Sequence, residues 1–267
     1  MTSSTRTNAL TSGGASGVEV TVVEQGAGHP FLLLHGGGGP QTVTGFADLL
    51  AHTKPARVIT PTHPGFASTH RPSALASVGA LAALYIALLD EMNLTDVTLL
   101  GNSIGGWIAA EMALLQSPRV SAVVLVDAVG IVVAGHPVAD FFSLTLDQVA
   151  QLSYYDPDKF RIDPATLPPA VQAAMPGNRA SLAAYAGTTF GDPGLARRLT
   201  DITVPTLVLW GEADQIGDAE YGRAYAAAIP TAQFRLLSKT GHLPQLETPG
   251  QLLDAVWDFA ALQRRPS

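Results

Sequence analysis

Seven short runs rich in Val, Leu and Ile recur along the 267-residue chain, at 18–23, 31–35, 57–60, 97–101, 122–127, 206–211 and 233–237. Most lack the polar alternation of a half-solvated strand, which suits strands covered on both faces. Helical patterns occupy the intervals, near 43–52, 75–92, 104–116, 218–228 and 249–262. Pro249 suits a helix's first turn, and Pro230 follows a run that must stop there. Strand–helix alternation of this kind predicts an α/β fold with a mostly parallel central sheet of about eight strands, flanked by helices. Ligands of such sheets bind beyond the carboxyl ends of the strands.

The alternation breaks between 131 and 200, where helical patches occur without a convincing strand. This predicts a helical insertion, or cap, at 131–200 over a core made of 18–130 and 201–267. Residues 1–17 are polar and rich in Gly, Ser and Thr, and read as a flexible leader with no apolar signal core. The expected location is cytoplasmic. The greasiest stretches, 75–89 and 120–135, fall short of the roughly 18 uninterrupted apolar residues of a membrane span.

Composition excludes several function classes. A formal net charge of −7, with basic residues clustered no further than pairs such as Arg197-Arg198 and Arg264-Arg265, gives no footprint for nucleic acid. With no cysteine, thiol catalysis, disulfides and cysteine-bound metals are ruled out. The seven histidines show no H-E-x-x-H or similar ligand spacing, so neither metal nor organic cofactor is expected. The expected partner is a small-molecule substrate, and oligomeric state is not legible.

Chemistry is concentrated at four places. In Gly101-Asn102-Ser103-Ile104-Gly105 a buried-strand pattern runs into a helical one, the setting of a nucleophile elbow. Taken alone the motif also fits a serine that merely caps a helix. "LLLHGGGGP" at 32–40 ends a strand in four glycines, with Gly37 a candidate oxyanion donor beside the Ile104 N–H and His35 a brace for the loop. No phosphate-binding glycine pattern is present there. Asp214 follows "LVLWG", and His242 follows the last strand pattern; Ser103, Asp214 and His242 stand in the chain order of one known triad geometry. Asp127, at the end of "VVLVD", is an alternative acid.

These motifs, taken together, resemble the α/β-hydrolase-fold superfamily over about residues 18–263. The matching segments are His35-Gly36-Gly37, the elbow, Trp210 to Asp214, and Gly241 to Pro249. The resemblance implies a serine hydrolase in which Ser103 attacks, His242 acts as base and Asp214 orients the imidazole. "PTHPGFAS" departs from the family's usual Asp-Pro-Gly-x-Gly and leaves His63, read as a loop residue, unexplained. Serine at 103 argues against the aspartate-nucleophile dehalogenases and epoxide hydrolases of this fold.

The favoured substrate is a small, largely apolar carboxylic ester. The elbow "GNSIGG" also resembles the hydrolases that cleave carbon–carbon bonds in meta-cleavage products, although Leu243 stands where many of those carry Trp. Lactonase, thioesterase, perhydrolase and a noncatalytic ligand-binding role stay open. Candidate pocket residues are Gly36, Asn102, Phe141, Phe142, Tyr154, Tyr155 and Leu243; Lys159, Arg161 and Arg179 read as surface residues.

Overall fold

A computed structural model describes residues 3–10 and 17–263. Eight strands form one sheet: β1 (Ser4–Ala9), β2 (Glu19–Gly26), β3 (His29–Leu34), β4 (Ala56–Pro61), β5 (Val97–Asn102), β6 (Val120–Val126), β7 (Thr206–Gly211) and β8 (Ala232–Leu237). Their spatial order is β1-β2-β4-β3-β5-β6-β7-β8, and every pairing from β4 to β8 is parallel.

The helices are α1 (Gln41–Thr53), α2 (Val78–Glu91), α3 (Ile104–Leu114), α4 (Leu146–Ser153), α5 (Pro157–Phe160), α6 (Pro169–Ala186), α7 (Leu195–Arg198), α8 (Ala219–Ala227), α9 (Pro244–Glu247) and α10 (Pro249–Gln263). Each of the seven expected strands and five expected core helices is present.

Side-chain alternation along β3 shows why the central runs read as continuously apolar. Leu32 and Leu34 enter one buried cluster with α2 and α3, whereas Phe31 and Leu33 enter a second with α1 and α10. Both faces of the central strands are therefore dry, and nearly every position in them selects an apolar residue. Between β6 and β7 the chain forms α4 to α7 and two short 3-10 turns, joined to the rest by an isolated bridge between Gly130 and Gly191.

The amino-terminal expectation needs correction. Ser4–Ala9, placed in a flexible leader, is a strand paired antiparallel with β2 at the sheet edge. Its side chains are almost all exposed, so the strand is held by backbone pairing and carries no apolar pattern. Residues 1–2 and 11–16 of that expected leader, and the Arg264-Arg265 pair, lie outside the described residues. No described helix is long and apolar enough to cross a membrane.

Candidate active site

Ser103 sits between the end of β5 and the first residue of α3 with φ 58° and ψ −121°, a left-handed backbone that a non-glycine residue adopts at a cost. Hydrogen bonds fix that conformation. The Ser103 N–H donates to the Val126 carbonyl at 3.0 Å, and the Ser103 carbonyl accepts from Gly106 N–H at 3.0 Å and Val129 N–H at 3.3 Å. The flanking glycines are required by proximity. A Cβ on Gly101 would lie 2.1 Å from the Gly105 carbonyl oxygen, and one on Gly105 would lie 2.2 Å from that of Leu34.

Asp214 follows β7 and is buried, with Oδ1 accepting from Ile216 N–H at 2.8 Å. Its Oδ2 faces the His242 Nδ1 at 2.8 Å. A carboxylate accepts, so Nδ1 carries the proton and Nε2 keeps its lone pair. Asp127 is not the ring's partner in this arrangement: its Oδ1 accepts from Gly211 N–H at 2.7 Å, and its Oδ2 is buried without a partner. Burial, followed by the nearby Asp214 charge, pushes the Asp127 carboxyl well above the usual carboxylate range.

The loop carrying His242 is held from three sides. His242 N–H donates to the Ser153 carbonyl at the end of α4 at 2.7 Å, and its carbonyl accepts from Asn102 Nδ2 at 2.9 Å. Glu247, in the same G-H-x-P-x-x-E-x-P segment, accepts from Gly241 N–H at 2.6 Å and from Asp156 N–H at 3.1 Å. The imidazole position is thus tied to Asn102 at the end of β5, beside Ser103, to the end of α4 and to the residue that precedes α5.

The "HGGGG" segment packs its His35 ring against that of His63, with ring centroids 3.7 Å apart and planes tilted by 32°. His35 Nδ1–H donates to the Gly36 carbonyl at 2.7 Å while its Nε2 accepts from His63 N–H at 3.1 Å. His63 Nε2–H returns a bond to the His35 carbonyl at 2.9 Å, and its Nδ1 accepts from the Tyr85 hydroxyl at 2.5 Å. Burial holds His63 down to about 4 and His35 well below its ordinary value. His63 is therefore a fully buried brace with no surface at the cavity. The N–H groups of Gly37 and Ile104 have no hydrogen-bond partner among the described residues.

Ser103 and His242 share the wall of a cavity of about 210 Å³ lined mostly by apolar side chains. The Ser103 hydroxyl makes no hydrogen bond to the ring among the described residues. Of the candidate pocket residues Gly36, Asn102, Phe141 and Leu243 line this cavity, and so does the candidate oxyanion donor Gly37. Phe142, Tyr154 and Tyr155 do not. Phe142 stacks on Phe190 at 5.3 Å, Tyr154 is buried against Phe160 at 6.0 Å, and Tyr155 is exposed. Lining residues the sequence reading missed include Leu146, Val149 and Ser153 on α4, with Leu182, Phe190 and Ile216. The 146/149/153 spacing is one helix face, a signal that was available.

Lys159 lies over the Phe160 ring, Arg161 pairs with Asp147 at 3.4 Å, and Arg179 donates to the Phe142 carbonyl at 2.6 Å. None of the three lines the cavity. Asp127, Asp214 and His242 offer ligand atoms within 4.8 Å of one another, a spacing a metal ion fits, but His242 Nδ1 is already committed to Asp214.

The sequence pattern of the alpha/beta hydrolase family matches residues 31–255. The chain belongs to that family. This hydrolase is 30% identical over 260 residues to the 2-hydroxymuconate semialdehyde hydrolase of Pseudomonas putida, covering 92% of each chain. It is 27% identical over 264 residues to Lipase 1 of Psychrobacter immobilis, covering 93% of this chain and 82% of the lipase. A solved serine hydrolase involved in carbazole degradation, 24% identical, superposes with a TM-score of 0.80 over 98% of this hydrolase and all of that chain. At that identity the superposition speaks for the fold.

Proposed function

We propose that this hydrolase cleaves small, largely apolar carboxylic esters through Ser103, His242 and Asp214. The observation that carries the reading is the single apolar cavity wall shared by Ser103 and a His242 whose Nδ1 is bound to buried Asp214. His242 Nε2 takes the Ser103 proton as Oγ attacks the carbonyl carbon. Negative charge develops on the carbonyl oxygen between the unpaired N–H groups of Gly37 and Ile104, the latter at the start of α3. Proton return from His242 expels the alcohol, and water activated by the same ring releases the acyl group. Asp214 holds the tautomer and stabilises the imidazolium. Helices α4 to α6 act as the cap that closes the site.

Carbon–carbon hydrolysis is the second reading, favoured by the Pseudomonas putida relative. Other relatives of that kind are named for dienoate or dienoic acid substrates. Among the described residues no Lys or Arg lines the cavity around Ser103 to meet such a carboxylate, which supports the neutral ester. A panel of p-nitrophenyl acetate and butyrate, a thioester, a lactone and a ring-fission dienoate, run with wild type and Ser103→Ala, tests this. Ester turnover abolished by Ser103→Ala is expected; dienoate cleavage without ester turnover overturns the assignment.

A further inference from the structure

Asp127, Asp214 and the loop bearing His242 follow the neighbouring strands β6, β7 and β8, and one ligand atom of each lies within 4.8 Å of the others. All three side chains are buried. Two ionised carboxylates at that separation, out of water, repel strongly, so the pair holds one proton between them.

The hydrogen-bond donors decide where that proton sits. Asp214 accepts from Ile216 N–H and from His242 Nδ1–H, each at 2.8 Å, with a longer bond of 3.4 Å from Gly217 N–H. Asp127 accepts from one amide, Gly211 N–H, and its Oδ2 has no donor. A charge is better placed on the carboxyl with three donors, and a hydroxyl on the oxygen with none.

Asp127 is held in place by its backbone, at φ 45° with its N–H donating to the Leu209 carbonyl at 3.0 Å. The titratable groups that face it are Asp214 at the end of β7, His242 after β8 and Glu247 on α9. Burial and the two acidic neighbours all push its carboxyl toward the protonated form.

We propose that Asp127 is a neutral carboxylic acid whose Oδ2–H is donated to the Asp214 carboxylate, a positioning residue that leaves a single, partly satisfied negative charge behind the His242 imidazole. The inference rests on the reading of Asp214 and His242 as the working pair. Its consequence concerns pH. If the O–H donor is removed, the Asp214 charge acts undivided on the ring, the imidazolium persists to higher pH, and less free base is present near neutrality.

Two measurements test this. The first is the infrared spectrum of full-length protein labelled with ¹³C at the aspartate carboxyls. A protonated-acid C=O band at neutral pH in wild type, absent in Asp127→Asn, is expected; no such band in wild type, or one that survives in Asp127→Asn, overturns the proposal. The second is the pH profile of kcat/KM for ester hydrolysis. Asp127→Ala shifts the acidic limb upward by about one pH unit, and Asp127→Asn, whose amide N–H still donates to Asp214, brings the limb back toward wild type. An unmoved limb in Asp127→Ala overturns the positioning role. Should no ester be turned over, the functional reading fails while the infrared arm still decides the carboxyl pair.

Discussion

Acid should weaken this fold through a specific pair of rings. His63 is fully buried, its Nδ1 and Nε2 are both committed to partners, and burial lowers it from an ordinary value of 6.5 to about 4. The unfolded chain takes up the proton near 6.5, and the folded chain resists until about 4. Stability is therefore fully present above pH 6.5 and is lost as pH falls through that window. A displacement of about 2.5 pH units corresponds to about 3 kcal/mol by pH 4. His35, lowered in the same direction, adds to the loss. Urea denaturation of wild type and His63→Gln, from pH 7.5 to pH 4, measures this without interference from carboxylates common to both. His63→Gln starts less stable because bonds to Tyr85 and the His35 carbonyl change. Wild type should then lose about 3 kcal/mol more than the variant across the window. Parallel pH dependences for the two proteins would refute the brace as a buried neutral ring.

Three further substitutions separate backbone, cavity and chemistry. Gly105→Ala puts a Cβ 2.2 Å from the Leu34 carbonyl oxygen and 2.7 Å from that of His35, both backbone atoms. A loss of at least about 1–3 kcal/mol in urea, together with lost activity, is expected; wild-type stability contradicts the elbow geometry. Leu182→Ala empties a buried side chain from the cavity wall and should cost about 2–5 kcal/mol while shifting preference toward bulkier acyl groups. An unchanged chain-length profile argues against that wall binding substrate. Asp214→Asn removes the acceptor from His242 Nδ1 and should lower kcat by on the order of 10⁴ with the fold intact by circular dichroism; a drop under tenfold would move the orienting role elsewhere.

What the sequence showed clearly was whatever local burial dictates. β3 and β5 to β7 are covered on both faces, so nearly every residue in them is apolar and their bounds were legible within about two residues. The elbow was legible because Gly101 and Gly105 are forced by contacts inside a strand-turn-helix unit. β1 was not, because Ser4–Ala9 pairs only along one edge and exposes its side chains, leaving turn-like composition. His63 was not, because its purpose depends on His35, 28 residues away, and on Tyr85. Of the four expected pocket aromatics, only Phe141 was legible as lining. Phe141 faces the cavity while its neighbour Phe142 stacks on Phe190, a difference set by tertiary packing of the segment between β6 and β7.

The central claim is that Ser103 is the nucleophile, and covalent labelling addresses it directly. A fluorophosphonate probe at neutral pH, followed by peptide mass spectrometry, should modify Ser103 stoichiometrically in folded wild type. Labelling should vanish in Ser103→Ala and slow at least a hundredfold in His242→Ala, where the base is lost. Folded wild-type protein that stays unlabelled, or is labelled at another residue, contradicts the account.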